Sequence, residues 1–269
     1  MKLLEEKVVM ITGASGGLGA ATAALFAAQG ARLLLVGRDE RRLQQVQQQI
    51  EAKVMLSPSC LVADLSESAS TAQLAHEALQ ACGRIDILVN NAAVVEPIQL
   101  CVASSIEHWQ RLFAINVFAV QQLTAAMLPA MHEQGWGRII NVSSGAAVMN
   151  IRGLAAYNAS KAALERMTAT LAAEIEGSGV IASLFRPGQF ASAMQQQLRT
   201  APADAFPEVG HWRENFKRGG LRSPEVPARG LLWLASRFGD QHNGRTLDIT
   251  DAASARQIEQ DLQKAQVEE

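Results

Sequence analysis

The chain alternates short apolar runs with longer amphipathic segments through its first two-thirds, and this alternation constrains the fold more than any other feature. The apolar runs end at glycine or polar residues, which is typical of buried strands. They cover residues 8–12, 32–36, 60–63, 85–90, 138–142 and 180–185, and a last strand is expected at 245–249. Helices are predicted at residues 19–29, 40–51, 66–82, 105–134 and 157–176. This order predicts right-handed crossovers and a parallel sheet covered by helices on both faces.

Composition narrows the class of protein. A hydrophobic content of 48% fits a chain of 269 residues with a large core, and a net charge of -2 gives no reason to expect nucleic acid or an anionic membrane as partner. Cys60, Cys82 and Cys101 form no C-x-x-C pair, so reduced thiols are expected. Residues 1–7 carry acids where a signal peptide needs an apolar run, and no segment of about 18 apolar residues is expected to span a membrane. We therefore expect a cytoplasmic protein.

No metal site is expected either. The five histidines show no paired spacing that is typical of metal ligands. They are His76, His108, His132, His211 and His242.

A glycine-rich turn follows the first predicted strand and leads directly into a helix. It reads Thr12-Gly13-Ala14-Ser15-Gly16-Gly17-Leu18-Gly19. Glycines at such a junction permit a tight turn and let backbone N–H groups approach a pyrophosphate at the positive end of the helix. Any tight turn between a strand and a helix could use these glycines, but the place of this one in an alternating chain predicts dinucleotide binding.

The end of the second predicted strand bears on the choice of dinucleotide. An acid at this place usually binds the adenosine 2′-hydroxyl, whereas this chain has Gly37-Arg38-Asp39. The arginine favours a 2′-phosphate through a charge-assisted contact, which predicts NADP(H) over NAD(H). Asp39 could instead turn inward and serve NAD, and Arg38 could simply be the first charged residue of a solvated helix.

Tyr157, the only tyrosine, stands four residues before Lys161, so a helix places both on one face. A lysine ammonium near a phenol favours the ionised phenol and is predicted to lower its pKa from about 10 toward neutrality. Such a phenol can exchange a proton with a carbonyl or alcohol oxygen. The alternative is an interfacial tyrosine beside a solvated lysine.

These motifs together resemble those of the short-chain dehydrogenase/reductase family, over the length from Val8 to about Asp251. The resemblance rests on their order: Thr12-Gly13-x-x-x-Gly17-x-Gly19, Asp64-Leu65, Asn90-Asn91-Ala92-Ala93, Asn116, Ser143-Ser144, Tyr157-x-x-x-Lys161 and Pro187-Gly188. It implies a single Rossmann-type domain over residues 1–269, doubly wound around a seven-stranded parallel sheet. A substrate lid around residues 193–229 and a surface tail at 252–269 complete the predicted domain.

The resemblance also implies catalytic roles. Ser144 would hydrogen-bond the substrate carbonyl oxygen, Tyr157 would protonate it, and Lys161 would hold the nicotinamide ribose and depress the tyrosine pKa. Asn116 would anchor a water that links the site to bulk solvent. Negative charge develops on oxygen during carbonyl reduction, so nearby donors make physical sense. Ser143 and Ser144 remain alternatives, since either serine could merely end the strand.

The same resemblance implies cofactor contacts. Asp64 and Leu65 resemble an adenine-binding pair, Asn91 a residue beside the adenosine ribose, and Ser192 the usual threonine near the nicotinamide carboxamide. Two departures are visible: Ala93 replaces a glycine, and the asparagine before Pro-Gly is missing, with Ser183 and Arg186 nearby. The full set of predicted cofactor residues is Gly13, Ser15, Gly17, Leu18, Gly19, Arg38, Asp64, Leu65, Asn91, Tyr157, Lys161, Phe190 and Ser192.

Three further segments, residues 96–98, 221–225 and 243–249, resemble the sepiapterin reductase and benzil reductase branch, which reduces vicinal dicarbonyls with NADPH. Asp248 aligns with a carboxylate that anchors the pterin in that branch, and the alternative is a strand-end acid capped by local backbone. The alternatives for function are a 3-oxoacyl thioester reductase, an alcohol or hydroxysteroid dehydrogenase, and a non-catalytic NADP-binding protein.

The lid and the long helices bear on partners. Prolines at 202, 207, 224 and 227 punctuate the lid, as in functional loops. Its basic residues Arg213, Lys217, Arg218 and Arg222 fit a solvated face better than a phosphate clamp for an acyl carrier. The predicted helices at 105–134 and 157–176 carry more apolar surface than one sheet face needs. The family packs such helices between subunits, which implies a homodimer or homotetramer.

Overall fold

A computed structural model describes residues 2–267, with side chains described to residue 265. Seven parallel strands form one sheet in the order β3-β2-β1-β4-β5-β6-β7. The strands are β1 Val8–Thr12, β2 Arg32–Gly37, β3 Ser59–Val62, β4 Ile87–Asn90, β5 Gly137–Val142, β6 Val180–Arg186 and β7 Thr246–Asp248. The strand order reverses between β1 and β4, so the carboxyl ends of these strands open a crevice where ligands of such sheets bind.

Helices cover both faces of the sheet. They are α1 Gly17–Ala28, α2 Glu40–Glu51, α3 Ser68–Cys82, α4 Ile106–Phe113, α5 Ala119–Glu133, α6 Ala155–Glu174, α7 Ala193–Thr200, α8 Val209–Lys217, α9 Glu225–Ala235 and α10 Ala252–Val267. The π turn Ala114–Phe118 joins α4 to α5. The predicted Rossmann-like α/β architecture is therefore confirmed.

Alternate strand residues build two apolar cores. Val9 and Ile11 of β1 pack with α1, α2, α9 and α10 on one face, because neighbouring residues of a strand point to opposite sides. Val8 and Met10 pack with α3, α5 and α6 on the other face. Both faces are buried, which explains why the strands read as continuous apolar runs rather than as an alternating pattern.

Most predicted boundaries lie within two residues of the observed ones, and two predictions about helices need correction. The helix expected at 105–134 is interrupted by the π turn Ala114–Phe118. A single extra residue in a helical turn leaves no apolar signal, because the surrounding residues keep their helical spacing. The helices α7, α8 and α9 were also missed, since prolines and short amphipathic stretches in this region favour a loop.

The helical run Ile106–Glu133 is, within the described residues, the one helix long and apolar enough to cross a membrane by length and composition. The expectation that no segment would qualify was therefore wrong. Half of its most apolar window is buried inside the fold. Leu123, Met127 and Met131 of this run belong to the core that covers the sheet, which accounts for its composition.

The segment predicted as a surface tail forms α10, and one side of this helix is buried. Ile258 and Leu262 are 2% and 4% exposed and belong to the core beside α9. The indole Nε1 of Trp233 donates to the Asp261 carboxylate at 2.9 Å. The helix therefore completes one layer of the sheet packing.

Candidate active site

A cleft of about 1930 Å³ runs along the carboxyl ends of the strands, from the glycine-rich turn to the lid. Its walls include Gly13, Arg38, Asp64, Ser144, Tyr157 and Lys161. The structure therefore brings the predicted catalytic and nucleotide-binding residues together in one continuous space. Asn116 lies behind the wall, fully buried.

The glycine-rich turn is held in a form that only glycine permits at two positions. Gly13 has a φ of 66°, and a Cβ at this residue would lie 2.9 Å from the Cα of Ala92. A Cβ at Gly19 would collide with the carbonyl oxygen of Gly13. The turn is therefore folded tightly against the strand β4 loop, as the sequence predicts.

The N-terminus of α1 presents free backbone donors to the cleft. Gly16 precedes the helix, no side chain caps its first turn, and that turn holds no acidic residue. A Cβ at Gly16 would meet no atom within 4 Å, so its backbone faces open space. These unpaired N–H groups and the positive helix end fit a pyrophosphate, so the residues present fit a dinucleotide cofactor.

Asp39 is used by its own helix. Its Oδ1 accepts the backbone N–H of Arg42 at 3.1 Å, and its Oδ2 lies 3.4 Å from the Arg42 Nε. It is therefore the N-cap of α2 rather than an inward-turned acid. Arg38 is exposed at the cleft beside it.

Asp64 lies in the same part of the cleft as Arg38. Its Oδ1 accepts the backbone N–H of Ser66 at 2.9 Å. This hydrogen bond, with smaller contributions from the Arg38 and Arg111 guanidinium groups, holds the pKa of Asp64 below its usual value. Two arginines thus lie close enough to Asp64 to favour its ionised form.

Asn91 supports the turn instead of pointing away from it. Its Nδ2 donates to the carbonyl oxygens of Thr12 and Gly13 at 2.9 and 3.2 Å, while its backbone N–H donates to the Thr12 hydroxyl. Asn91 lines the cleft, and its predicted place beside a ribose stays a prediction. Its amide N–H groups, however, are already engaged by the glycine-rich turn.

Ser144 and Tyr157 form the polar centre of the cleft. Tyr157 lies in the first turn of α6 and is 8% exposed. The Ser144 hydroxyl hydrogen-bonds with its phenol and also accepts the backbone N–H of Ala146 at 3.1 Å. Ser143, the alternative serine, binds Glu165 instead. Ser144 is therefore the serine that interacts with Tyr157.

The pKa of Tyr157 moves in the direction opposite to the prediction. Burial raises the pKa of Tyr157 to about 12, and the hydrogen bond with Ser144 offsets part of that rise. The Lys161 Nζ donates to the Val142 carbonyl oxygen at 2.8 Å and lies 5.8 Å from the centre of the phenol ring. The ammonium is thus directed at the end of β5, and desolvation is the main influence on the pKa of the Tyr157 phenol.

Lys161 is itself buried. Desolvation lowers the pKa of Lys161 to about 8, and the Glu165 carboxylate one turn further along α6 opposes this fall. A lysine with this pKa titrates close to neutral pH. The Tyr157 phenol, by contrast, stays protonated there, which suits a proton donor.

Asn116 joins three parts of the site. Its Oδ1 accepts the Val94 N–H, and its Nδ2 donates to the Val94 carbonyl oxygen, each at 2.9 Å. The Nδ2 also donates to the Ser160 hydroxyl at 3.1 Å. Both N–H groups of the amide are therefore engaged, while its oxygen accepts one of the two hydrogen bonds that it can accept. The water predicted at this residue stays a prediction.

The lid packs directly on Tyr157. Phe206, Val209 and Trp212 are buried in the same apolar cluster as Tyr157 and Leu154. This cluster supports the phenol from the lid side and accounts for its desolvation. The sequence pattern missed it, because the lid's apolar residues are isolated in the chain.

Phe190 and Ser192 link the lid to the sheet. Phe190 forms an isolated parallel bridge with Arg222, in which the backbone N–H of Ala191 donates to the Arg222 carbonyl oxygen at 2.9 Å. The Ser192 hydroxyl accepts the Gln195 N–H at 3.2 Å and caps α7. Both residues line the cleft, as expected.

Asp248 also lines the cleft. Its Oδ1 accepts both the backbone N–H and the hydroxyl of Thr250, at 2.9 and 2.6 Å. Local groups therefore hydrogen-bond this oxygen, which agrees with the alternative interpretation of Asp248 as a strand-end acid. Among the described residues, no group of three His, Cys, Asp or Glu side chains is placed to hold a metal ion.

Comparisons with known proteins show the family of this chain. The profile of the short chain dehydrogenase family matches residues 7–203. The chain is similar to benzil reductase of Saccharomyces cerevisiae, with 32% identity over 91% of this chain and 96% of the relative. It is 30% identical to 3-oxoacyl-[acyl-carrier-protein] reductase of Thermotoga maritima, over 91% and 97%. A short chain dehydrogenase from Shigella flexneri, solved with NADP, superposes with a TM-score of 0.81 and 28% identity, covering 93% and 99%.

Proposed function

Because the chain belongs to the short chain dehydrogenase family, which uses a nicotinamide cofactor and small-molecule substrates, we propose that it reduces a small diketone or similar ketone with NADPH. The observation that carries this proposal is the pairing of Ser144 with a protonated Tyr157 in a cleft that continues to the glycine-rich turn. A phenol whose pKa is raised to about 12 is a proton donor at neutral pH.

The reaction adds a hydride and a proton across the C=O bond and yields an alcohol. Bound NADPH would supply the hydride and leave as NADP⁺. Ser144 donates a hydrogen bond to the carbonyl oxygen, and Tyr157 gives its phenolic proton to the same oxygen as negative charge develops there. Lys161 carries the positive charge of the site and, by the family pattern, would hold the cofactor ribose.

Arg38 supports the preference for NADPH over NADH. Since Asp39 is the N-cap of α2 and pairs with Arg42, it is not directed toward a ribose hydroxyl. The exposed Arg38 guanidinium borders the same end of the cleft and fits a 2′-phosphate. The Shigella flexneri structure, which was solved with NADP, is consistent with this proposal.

A dicarbonyl substrate is favoured over an acyl thioester. The catalytic end of the cleft is bordered by Val148, Met149, Ile151 and Trp212, which fit an apolar substituent of a ketone. Two basic lid residues are already engaged: Arg213 donates to the carbonyl oxygens of Arg199 and Ala201, and Arg218 pairs with Glu214. They are not free to form the phosphate clamp that an acyl carrier requires. The similarity to benzil reductase supports the same choice.

Three weaker expectations remain proposals. Asp248 contacts the substrate through the oxygen that Thr250 leaves free. The protein forms a homodimer or homotetramer, which the exposed Ile106 and Phe118 beside the long α4–α5 run support, at 63% and 57% exposure. It acts in the cytoplasm.

The test measures the rate of NADPH oxidation with each member of a panel of substrates. Benzil, diacetyl, sepiapterin, an acetoacetyl thioester and simple aldehydes are supplied to the purified protein. We expect at least one dicarbonyl to be reduced with a higher kcat/KM than the thioester. Good turnover of the thioester with no turnover of any dicarbonyl would overturn the proposed substrate class and leave the family assignment intact.

A further inference from the structure

A partly buried ion pair lies one helical turn behind the proposed catalytic centre. The Arg186 guanidinium donates through Nε to Glu165 Oε1 at 2.8 Å and through NH2 to Glu165 Oε2 at 2.7 Å. The side chains are 17% and 16% exposed. The fork of the guanidinium matches both carboxylate oxygens, which fixes the orientation of both side chains.

The same carboxylate reaches the end of a neighbouring strand. The Ser143 hydroxyl, 2% exposed, donates to Glu165 Oε1 at 2.7 Å. Ser143 immediately precedes Ser144, and Arg186 immediately precedes Pro187-Gly188 in the wall of the cleft. Glu165 is also four residues after Lys161 on α6, so the two side chains share a face. One carboxylate thus connects the ends of β5 and β6 with the helix that carries Tyr157 and Lys161.

Stability alone does not account for this pair. Both charges are largely removed from water, which costs free energy, and a well-packed apolar pair of similar volume is often as stable as a buried ion pair or more so. The pair also stands where the sequence departs from the family pattern before Pro-Gly. A role in the chemistry of the adjoining site explains the arrangement better.

We infer that Glu165 and Arg186 are positioning residues, which set the charge of Lys161 and hold Ser144 and the Pro187-Gly188 turn in register with it. The inference rests on the proposed function of the same site. Neither residue transfers a proton. Glu165 stabilises the Lys161 ammonium through its negative charge, and Arg186 limits that effect by pairing with the carboxylate.

The charge of Lys161 is set by few groups. Its own helix contributes the neighbouring Tyr157 and the Glu165 carboxylate, while Arg186 of β6 pairs with that carboxylate and Asp248 of β7 faces Arg186. The π turn and the 3₁₀ turn Gly145–Ala147 carry no charged residue. Helix α4 also packs on α6, and its charged or titratable residues are exposed: Glu107, His108 and Arg111.

Opposite charges make opposite predictions. In Glu165→Gln the ammonium loses its anion while Arg186 stays positive, so Lys161 should release its proton at a lower pH. In Arg186→Gln the carboxylate is freed to act on Lys161, so the proton should be lost at a higher pH. A merely structural role would move both variants in the same direction, because each breaks the same pair.

The experiment measures NADPH affinity by calorimetry as a function of pH, beside the pH profile of kcat/KM. Relative to the wild type, we expect the alkaline weakening of binding to begin about one pH unit lower in Glu165→Gln and measurably higher in Arg186→Gln. The double variant, which keeps a neutral pair, should fall between the two. Glu174→Gln, an exposed glutamate on the same helix, is the matched control and should leave the profile unchanged.

Shifts in the same direction for both single variants, or no shift in either, would overturn the inference. If Glu165→Gln does not fold, Arg186→Gln and the double variant still give the sign. Binding is measured without turnover, so the outcomes separate. If the wild-type protein binds NADPH but reduces no carbonyl compound, the proposed function is contradicted. The pH dependence of NADPH affinity still tests the role of the Glu165–Arg186 pair in that case.

Discussion

The Nζ of Lys161 donates a 2.8 Å hydrogen bond to the carbonyl oxygen of Val142, the last residue of β5. Helix α6, which carries Tyr157 and Lys161, is thereby attached to the strand that leads into Ser144. Because the ammonium is directed at this carbonyl, the phenol of Tyr157 is governed by its own burial. The site is consequently arranged around a protonated tyrosine and a lysine that titrates near neutrality.

The pH profile should report Lys161 rather than Tyr157. Below about 8 the ammonium is charged, and the phenol, with its pKa raised to about 12, is protonated as the acid that reduction needs. We expect kcat/KM for reduction to be level at neutral pH and to fall as the pH rises through about 8. Steady-state rates with a dicarbonyl over this range check it. A rate that keeps rising well above that pH would count against the assignment.

Arg38 should decide between the two nicotinamide nucleotides. Replacing it by alanine removes a charge-assisted contact to a 2′-phosphate, which is worth about 1.5–3 kcal/mol. We expect the KM for NADPH to rise roughly tenfold or more, with little change for NADH. Arg166→Ala, an exposed arginine on α6 away from the cleft, is the control. Equal losses with both nucleotides would place the 2′-phosphate elsewhere.

Asn116 should matter for stability as well as for activity. The variant Asn116→Ala leaves the N–H and carbonyl groups of Val94 and the Ser160 hydroxyl without their buried partner. We expect the free energy of unfolding to fall by about 2 kcal/mol or more, as measured by urea denaturation. Asn150→Ala, at an exposed position, should cost almost nothing. If Asn116→Ala lowered activity but left the free energy of unfolding unchanged, the amide would not stabilise the loop that contains Val94.

The sheet could be predicted from the sequence because its strands are buried on both sides. Residues 8–12 and 180–185 are largely apolar runs bounded by glycine or polar residues, so the position and length of each strand can be predicted from neighbouring residues alone. The glycine-rich turn could also be predicted from the sequence, since Gly13 and Gly19 allow no Cβ in the observed geometry. Such local signals can be interpreted without knowing which elements pack against each other.

The electrostatics of the site could not be predicted, because they depend on contacts between distant residues. The spacing of Tyr157 and Lys161 suggested a lowered phenol pKa. The desolvation that raises it comes partly from Trp212 and Phe206, some fifty residues further along the chain. Glu165 was invisible as a site residue for the same reason: its partners Ser143 and Arg186 lie on two other elements.

The central claim is that the phenol of Tyr157 supplies the proton. The most direct measurement is the rate of NADPH oxidation by Tyr157→Phe with a dicarbonyl substrate, with NADPH binding measured alongside. The phenyl ring keeps the contacts of the lid cluster and removes only the donor. We predict a loss of about 100-fold or more in kcat with NADPH still bound, whereas activity within about tenfold of the wild type would contradict the account.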